Sequence, residues 1–150
     1  MKSTRAVIVS LALGVACTAP AWAQFKNAEH AVKYRQAAFT VMGKHFASLG
    51  AMASGKAPFD AAKAQADASV VAAVSALPWS GFGPETETIK SDAKMEVWLE
   101  KTAFDQGAQR LTAATAELAK AAQTGNLDQI KQAFGATAKT CKACHDSYRD

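Results

Sequence analysis

The feature that most constrains this chain lies close to its C-terminus: Cys141-Lys142-Ala143-Cys144-His145, in a sequence of 150 residues. Two cysteines separated by two residues, with a histidine directly after the second, form the attachment signature of a c-type haem. Thiols at this spacing reach the two vinyl groups along one edge of a porphyrin. The histidine then falls under the ring, where an imidazole nitrogen can bind the iron. Other uses of the pair fit less well. A Cys-x-x-Cys redox pair normally opens a helix after a strand, and no strand pattern precedes this one. Half a zinc site would need partners, yet the other histidines are His30 and His45 and there is no second cysteine pair. A plain disulfide is possible in an oxidising compartment.

Residues 1–23 are read as an export signal rather than as part of the fold. Lys2 and Arg5 form a basic start, Ala6 to Ala16 an apolar run too short to span a bilayer, and Ala21-Trp22-Ala23 an A-x-A cleavage site. Cys17 leaves with this segment, and both remaining cysteines belong to the haem motif, so no structural disulfide is expected. Cleavage leaves 127 residues, 24–150, as one exported domain. Without Lys2 and Arg5 the chain has 15 basic residues against 13 acidic ones, a net charge of +2. That balance gives no reason to expect nucleic-acid binding or membrane insertion.

The rest of the sequence reads as helix, because alanine is abundant, β-branched runs are scarce and apolar residues recur with helical period. A first helix over 27–53 carries the seam Ala28, Val32, Arg35, Phe39, Met42, Phe46, Leu49, Ala53, a heptad spacing interrupted by one charge. A second over 58–77 places Phe59, Ala62, Ala66, Val70, Ala73, Val74 and Leu77 on one side. Pro78-Trp79-Ser80-Gly81-Phe82-Gly83-Pro84 cannot continue it, and opens an irregular stretch reaching about Ser91. Loops this long between packed helices often serve a site. The third helix, 92–124, has Val97, Phe104, Ala108, Leu111, Thr115, Leu118 and Ala122 on its seam. The fourth, from 127, carries Leu127, Ile130, Phe134, Thr137, Cys141, Cys144 and Tyr148. Four such helices predict an all-α fold, an antiparallel up-down-up-down four-helix bundle.

Cys141 and Cys144 sit on a seam, so the haem they hold should lie in the core near the C-terminal end of the last helix. The start of the first helix shares that end of the bundle, and Arg35 lies there. A seam arginine needs a partner or an exit to water. A guanidinium fork matches a haem propionate, whereas snorkelling from the bundle end is the alternative.

Ala31-Val32-Lys33-Tyr34-Arg35-Gln36, Ala76-Leu77-Pro78-Trp79, Phe82-Gly83-Pro84, Glu96-Val97-Trp98 and Cys141 through Arg149 together resemble cytochrome c′. This is the class of c-type cytochromes built as a four-helix bundle with the haem motif near the C-terminus. The resemblance implies a periplasmic homodimer with one haem c per chain, thioether-linked to Cys141 and Cys144, with His145 as axial iron ligand. It implies five-coordinate, high-spin iron that binds NO and CO and discriminates against O2. Nitric oxide handling is the implied role, electron transfer to a periplasmic redox partner an older proposal, and no enzymatic activity is implied. It further sets Arg35 and Gln36 at the propionates, Phe39 at the distal position, Asp92 at the haem edge with Glu87 as runner-up, and Arg149 beside the proximal histidine.

The sixth coordination position separates the functional readings. His30 and His45 lie off the first helix's seam and read as surface residues. Met42 is on the seam, but two turns beyond Arg35, and reads as core packing. Phe39, one turn from Arg35, cannot ligate iron. A gas-binding protein with an open iron position is therefore the leading reading. The alternative is a low-spin electron-transfer cytochrome with a Met sixth ligand. A peroxidase is weaker, because no seam histidine or arginine near Phe39 could assist O–O cleavage.

Overall fold

A computed structural model describes residues 24–150; the expected export signal at 1–23, with Cys17, lies outside the described residues. Five α-helices follow one another: α1 Ala28–Ala53, α2 Ala61–Val74, a single turn α3 Glu96–Leu99, α4 Lys101–Gln123 and α5 Leu127–Tyr148. The four long ones pack as an antiparallel bundle, with α1 against α2, α2 against α4 and α4 against α5. The α1–α5 edge is the most sparsely packed of the four. Among the described residues no helix is long and apolar enough to cross a membrane.

Side-chain caps fix where the helices start. Asn27, Asp60 and Asn126 accept backbone N–H groups that have no partner within α1, α2 and α5 respectively. Gly125, at φ 66°, lets the chain turn from α4 into that last cap. The predicted start of the second helix at residue 58 gives way to Asp60, whose carboxylate holds Lys63 N at 2.9 Å. The predicted third helix divides: residues 92–95 are irregular, α3 is one turn, and Glu100 at φ −111°, ψ 37° separates it from α4.

The seams of α1, α4 and α5 face the core as their spacing predicts. Leu49, Leu118 and Ile130 are fully buried, and Phe104, Leu111 and Met42 nearly so. The face of α2 differs from the sequence expectation. Ala64, Asp67, Ala68, Val71 and the following Ser75 are buried, whereas Ala62, Ala66 and Ala73 are exposed, with Phe59 and Leu77 36% and 43% accessible. Alanine lies all round this helix, so apolar period alone does not single out an inward stripe. Ala64, Ala68 and Val71 join the apolar core, and two polar contacts mark the same face: Ser75 Oγ accepts from Thr115 Oγ1 of α4 at 2.9 Å, and Asp67 accepts from His45 of α1 at 2.8 Å.

Candidate haem site

A cavity of about 510 Å³ lies between α1, α5 and the irregular 75–95 segment. That is within the range of small-molecule and cofactor sites. Most of its wall is apolar, built from Phe39, Met42 and Phe46 of α1, Val71 of α2, Trp79 and Phe82 of the connecting segment, and Phe104 and Leu111 of α4. Phe82 is the centre of an aromatic group, 4.8 Å from Phe104, 6.3 Å from Phe39 and 6.3 Å from Trp79 between ring centroids. Such contacts fix ring positions as well as burying area. One end of the cavity is polar, lined by Arg35, Gln36, Ser91, Asp92 and Arg149.

Arg35 organises that polar end. Its side chain is 2% exposed, so it does not snorkel into water. Nη1 donates to Gly81 O at 2.7 Å and Thr86 Oγ1 at 3.0 Å, and Nη2 donates to Ser91 Oγ at 2.9 Å. The guanidinium also lies over the Phe82 ring, 4.1 Å from its centroid. Desolvation lowers its pKa to about 10, still far above neutral, so the cation persists. Three of its five N–H groups are thereby used, which leaves two for a ligand in the cavity. Gly81 is needed for the close approach, since a Cβ there would come within 2.7 Å of Ala31 O and 2.9 Å of Arg35 Cβ.

On the opposite wall α5 presents Cys141, Cys144 and His145 to the same cavity. Both cysteine side chains are half-buried and are not joined to each other as a disulfide. Before haem attachment, burial pushes each thiol above its ordinary pKa. Burial, reinforced by the Arg149 charge, lowers His145, which keeps its imidazole neutral and able to coordinate. The segment after His145 is tied down. Lys94 N donates to Tyr148 O and Asp150 N to Asp92 O, each at 3.0 Å, and Arg149 Nη2 meets Asp92 Oδ2 at 3.2 Å. The tail of α5 and residues 92–94 therefore form one short antiparallel bridge beside the histidine.

The chain has close relatives of known kind. Residues 30–149 match the family model described as Cytochrome C′. The cytochrome c′ of Alcaligenes xylosoxydans is 44% identical over 126 residues, covering 84% of this chain and 98% of the relative. The chain belongs to the cytochrome c′ family. The crystal structure of the Rubrivivax gelatinosus cytochrome c′ superposes with a TM-score of 0.82 at 41% identity, covering 85% of this chain and all of that one. A nitric oxide complex of an Alcaligenes xylosoxidans cytochrome c′ variant superposes at 0.79 with 42% identity, covering 85% and 98%.

Haem c is the cofactor of cytochrome c′, and this cavity fits it. A haem is an apolar disc with two carboxylates on one edge. The cavity is aromatic and aliphatic along most of its length, and cationic at one end, with two uncommitted N–H groups on a buried arginine. All eight residues assigned from the cytochrome c′ resemblance line it: Arg35, Gln36, Phe39, Asp92, Cys141, Cys144, His145 and Arg149. Glu87, the runner-up to Asp92, is exposed and outside the lining. Met42 lines the cavity but packs in the same buried cluster as Leu49 and Leu111. His30 is exposed; His45 is half-buried and bonded to Asp67 rather than free at the surface. Sequence reasoning missed Ser91 and Thr86. Nothing local marks them, because they meet Arg35 only across 51–56 residues of chain.

Proposed function

We propose that this chain is an exported periplasmic haem protein whose single haem c is held by Cys141 and Cys144, ligated by His145, and open on its other face to NO and CO. When bound, the haem supplies an iron centre that can take a diatomic ligand. The observation that carries the reading is Phe39. Of the α1 side chains one turn from Arg35, it is the one lining the cavity, and it is a hydrocarbon that cannot coordinate metal.

Phe39 does two things in this account. Its ring, T-shaped against Trp79 at 5.7 Å, occupies space that an entering ligand must share. It also offers no hydrogen-bond donor, so a polar bound dioxygen would be desolvated without compensation, whereas NO and CO depend less on such a donor. Arg35 and Gln36 orient the carboxylate edge, and the Asp92–Arg149 pair braces the segment carrying His145. Nitric oxide complexes known for the Alcaligenes xylosoxidans relative support the same ligand here. Homodimerisation belongs to the same reading, supported by the exposed alanines of α2, Ala62, Ala66 and Ala73, and by Phe59 and Leu77, which flank that helix and are 36% and 43% accessible.

A low-spin electron carrier with Met42 as sixth ligand is the second reading, favoured only by the place of Met42 in the cavity wall. Met42 is three residues beyond Phe39, about 4.5 Å further from Arg35 along the helix axis. Titration of the ferrous protein with each gas separates the readings. NO and CO should change the spectrum stoichiometrically while air-level O2 leaves no stable complex. A ferrous protein inert to CO would contradict the open site.

A further inference from the structure

Ser91 stands at the polar end of the cavity, half-buried, in the segment that joins α2 to α3. Its oxygen accepts the Arg35 Nη2 proton at 2.9 Å and the Ala93 amide at 3.4 Å. A hydroxyl has two lone pairs to accept with and one proton to donate. Both lone pairs of Ser91 are engaged by the protein, and its own O–H finds no acceptor among the described residues. The hydroxyl is thus committed as a donor, and the adjacent guanidinium polarises it further. Thr86 makes the contrast. Its hydroxyl also accepts from Arg35, but donates to Gly83 O at 2.7 Å and is spent.

The charged groups around this end leave one kind of ligand. Arg35 retains two unused N–H groups, and Arg149 is paired with Asp92. Among the described residues, the sole side-chain carboxylate lining the cavity is that of Asp92, which already has its cation. A donor hydroxyl and a half-used guanidinium side by side on a cavity wall suit an incoming carboxylate. We propose that Ser91 is a haem-anchoring residue, donating its hydroxyl proton to a haem carboxylate that Arg35 neutralises. This rests on the haem reading above. It makes the 91–92 segment a direct contact of the cofactor's charged edge, in addition to a support for Arg35.

The test is resonance Raman spectroscopy of the ferric, haem-bearing protein in the propionate-bending region, together with thermal unfolding, for Ser91→Ala, Ser91→Thr and Thr86→Val. Loss of the donor in Ser91→Ala should move a propionate-bending band to lower frequency, and Ser91→Thr should restore it. Thr86→Val removes a partner of Arg35 but keeps the Ser91 donor, so it should lower the unfolding midpoint and leave the band in place. A band unmoved in Ser91→Ala, or moved equally in Thr86→Val, would overturn the proposal and reduce Ser91 to a prop for Arg35. A wild-type chain that yields its haem to acid–acetone would overturn the covalent-haem reading itself, and is told apart because extraction is scored before any variant.

Discussion

Replacing Arg35 by alanine should be a severe perturbation of this fold, because it removes a buried cation with three hydrogen bonds. The side chain is 2% exposed, so its charge-assisted hydrogen bonds are not screened by solvent. Three are lost: to Gly81 O, Thr86 Oγ1 and Ser91 Oγ, at 2.7, 3.0 and 2.9 Å. Bonds to charged groups contribute roughly 1.5–3 kcal/mol each, although they share one side chain and do not add in full. The cation stacked 4.1 Å from the Phe82 centroid adds about 1 kcal/mol. Gly81 O is left buried without its donor, which carries its own desolvation cost. A net loss of about 4 kcal/mol is the expectation, at the upper end for a point substitution. For a domain of this size each kcal/mol moves the midpoint by roughly 3–4 °C, so Arg35→Ala should melt about 12–16 °C below wild type. Circular dichroism at 222 nm on the haem-loaded proteins reads this directly. Arg35→Lys should fall between, since an ammonium keeps the charge but not the fork that reaches two loop segments. A midpoint for Arg35→Ala within about 3 °C of wild type would refute the idea that Arg35 ties the 81–91 segment to α1.

Two further predictions follow from the site and from α2. Phe39→Ala should speed CO association to the ferrous protein about tenfold or more, since each ~1.4 kcal/mol of steric barrier is worth a factor of ten; equal rates in rapid mixing would mean Phe39 does not cover the ligand position. Burial pushes the Asp67 carboxyl up, but hydrogen bonds from Ser48, His45 and Lys63, with the Lys63 charge, outweigh it and hold it below its usual value. Its ionised form therefore stabilises the fold above pH ~4, and that contribution disappears as the pH falls through its lowered pKa. Asp67→Asn should cost about 1–2 kcal/mol near neutral pH, a gap that narrows below pH ~4; urea melts showing the same gap at pH 7 and pH 3 would count against the bonded carboxylate.

How much of this could be read from the sequence differed from element to element. The seams of α1, α4 and α5 carry large apolar residues at heptad positions, and burial follows them closely, including half-burial of both cysteines. In α2 the alanines gave no contrast, and the inward face is marked by Asp67 and Ser75, polar residues that a hydrophobic count discards. Asp67 is satisfied by His45 of α1 and by Lys63 one turn back in α2, and Ser75 by Thr115 of α4 and by Ala72 O. Arg35 was conspicuous as a charge on an apolar seam, but its loop partners were not, because Gly81, Thr86 and Ser91 meet it through tertiary folding. The break at Glu100 was equally hidden: Glu96-Val97-Trp98-Leu99 continues the helical composition of α4 without a proline or glycine to mark the boundary.

The claim at the centre of the account is an iron with His145 on one side and Phe39, a non-ligand, on the other. Electron paramagnetic resonance of the ferric protein at neutral pH tests it most directly. A high-spin signal from five-coordinate haem is the predicted result. A purely low-spin signal, of the kind given by histidine–methionine ligation, would contradict it and move the sixth ligand to Met42.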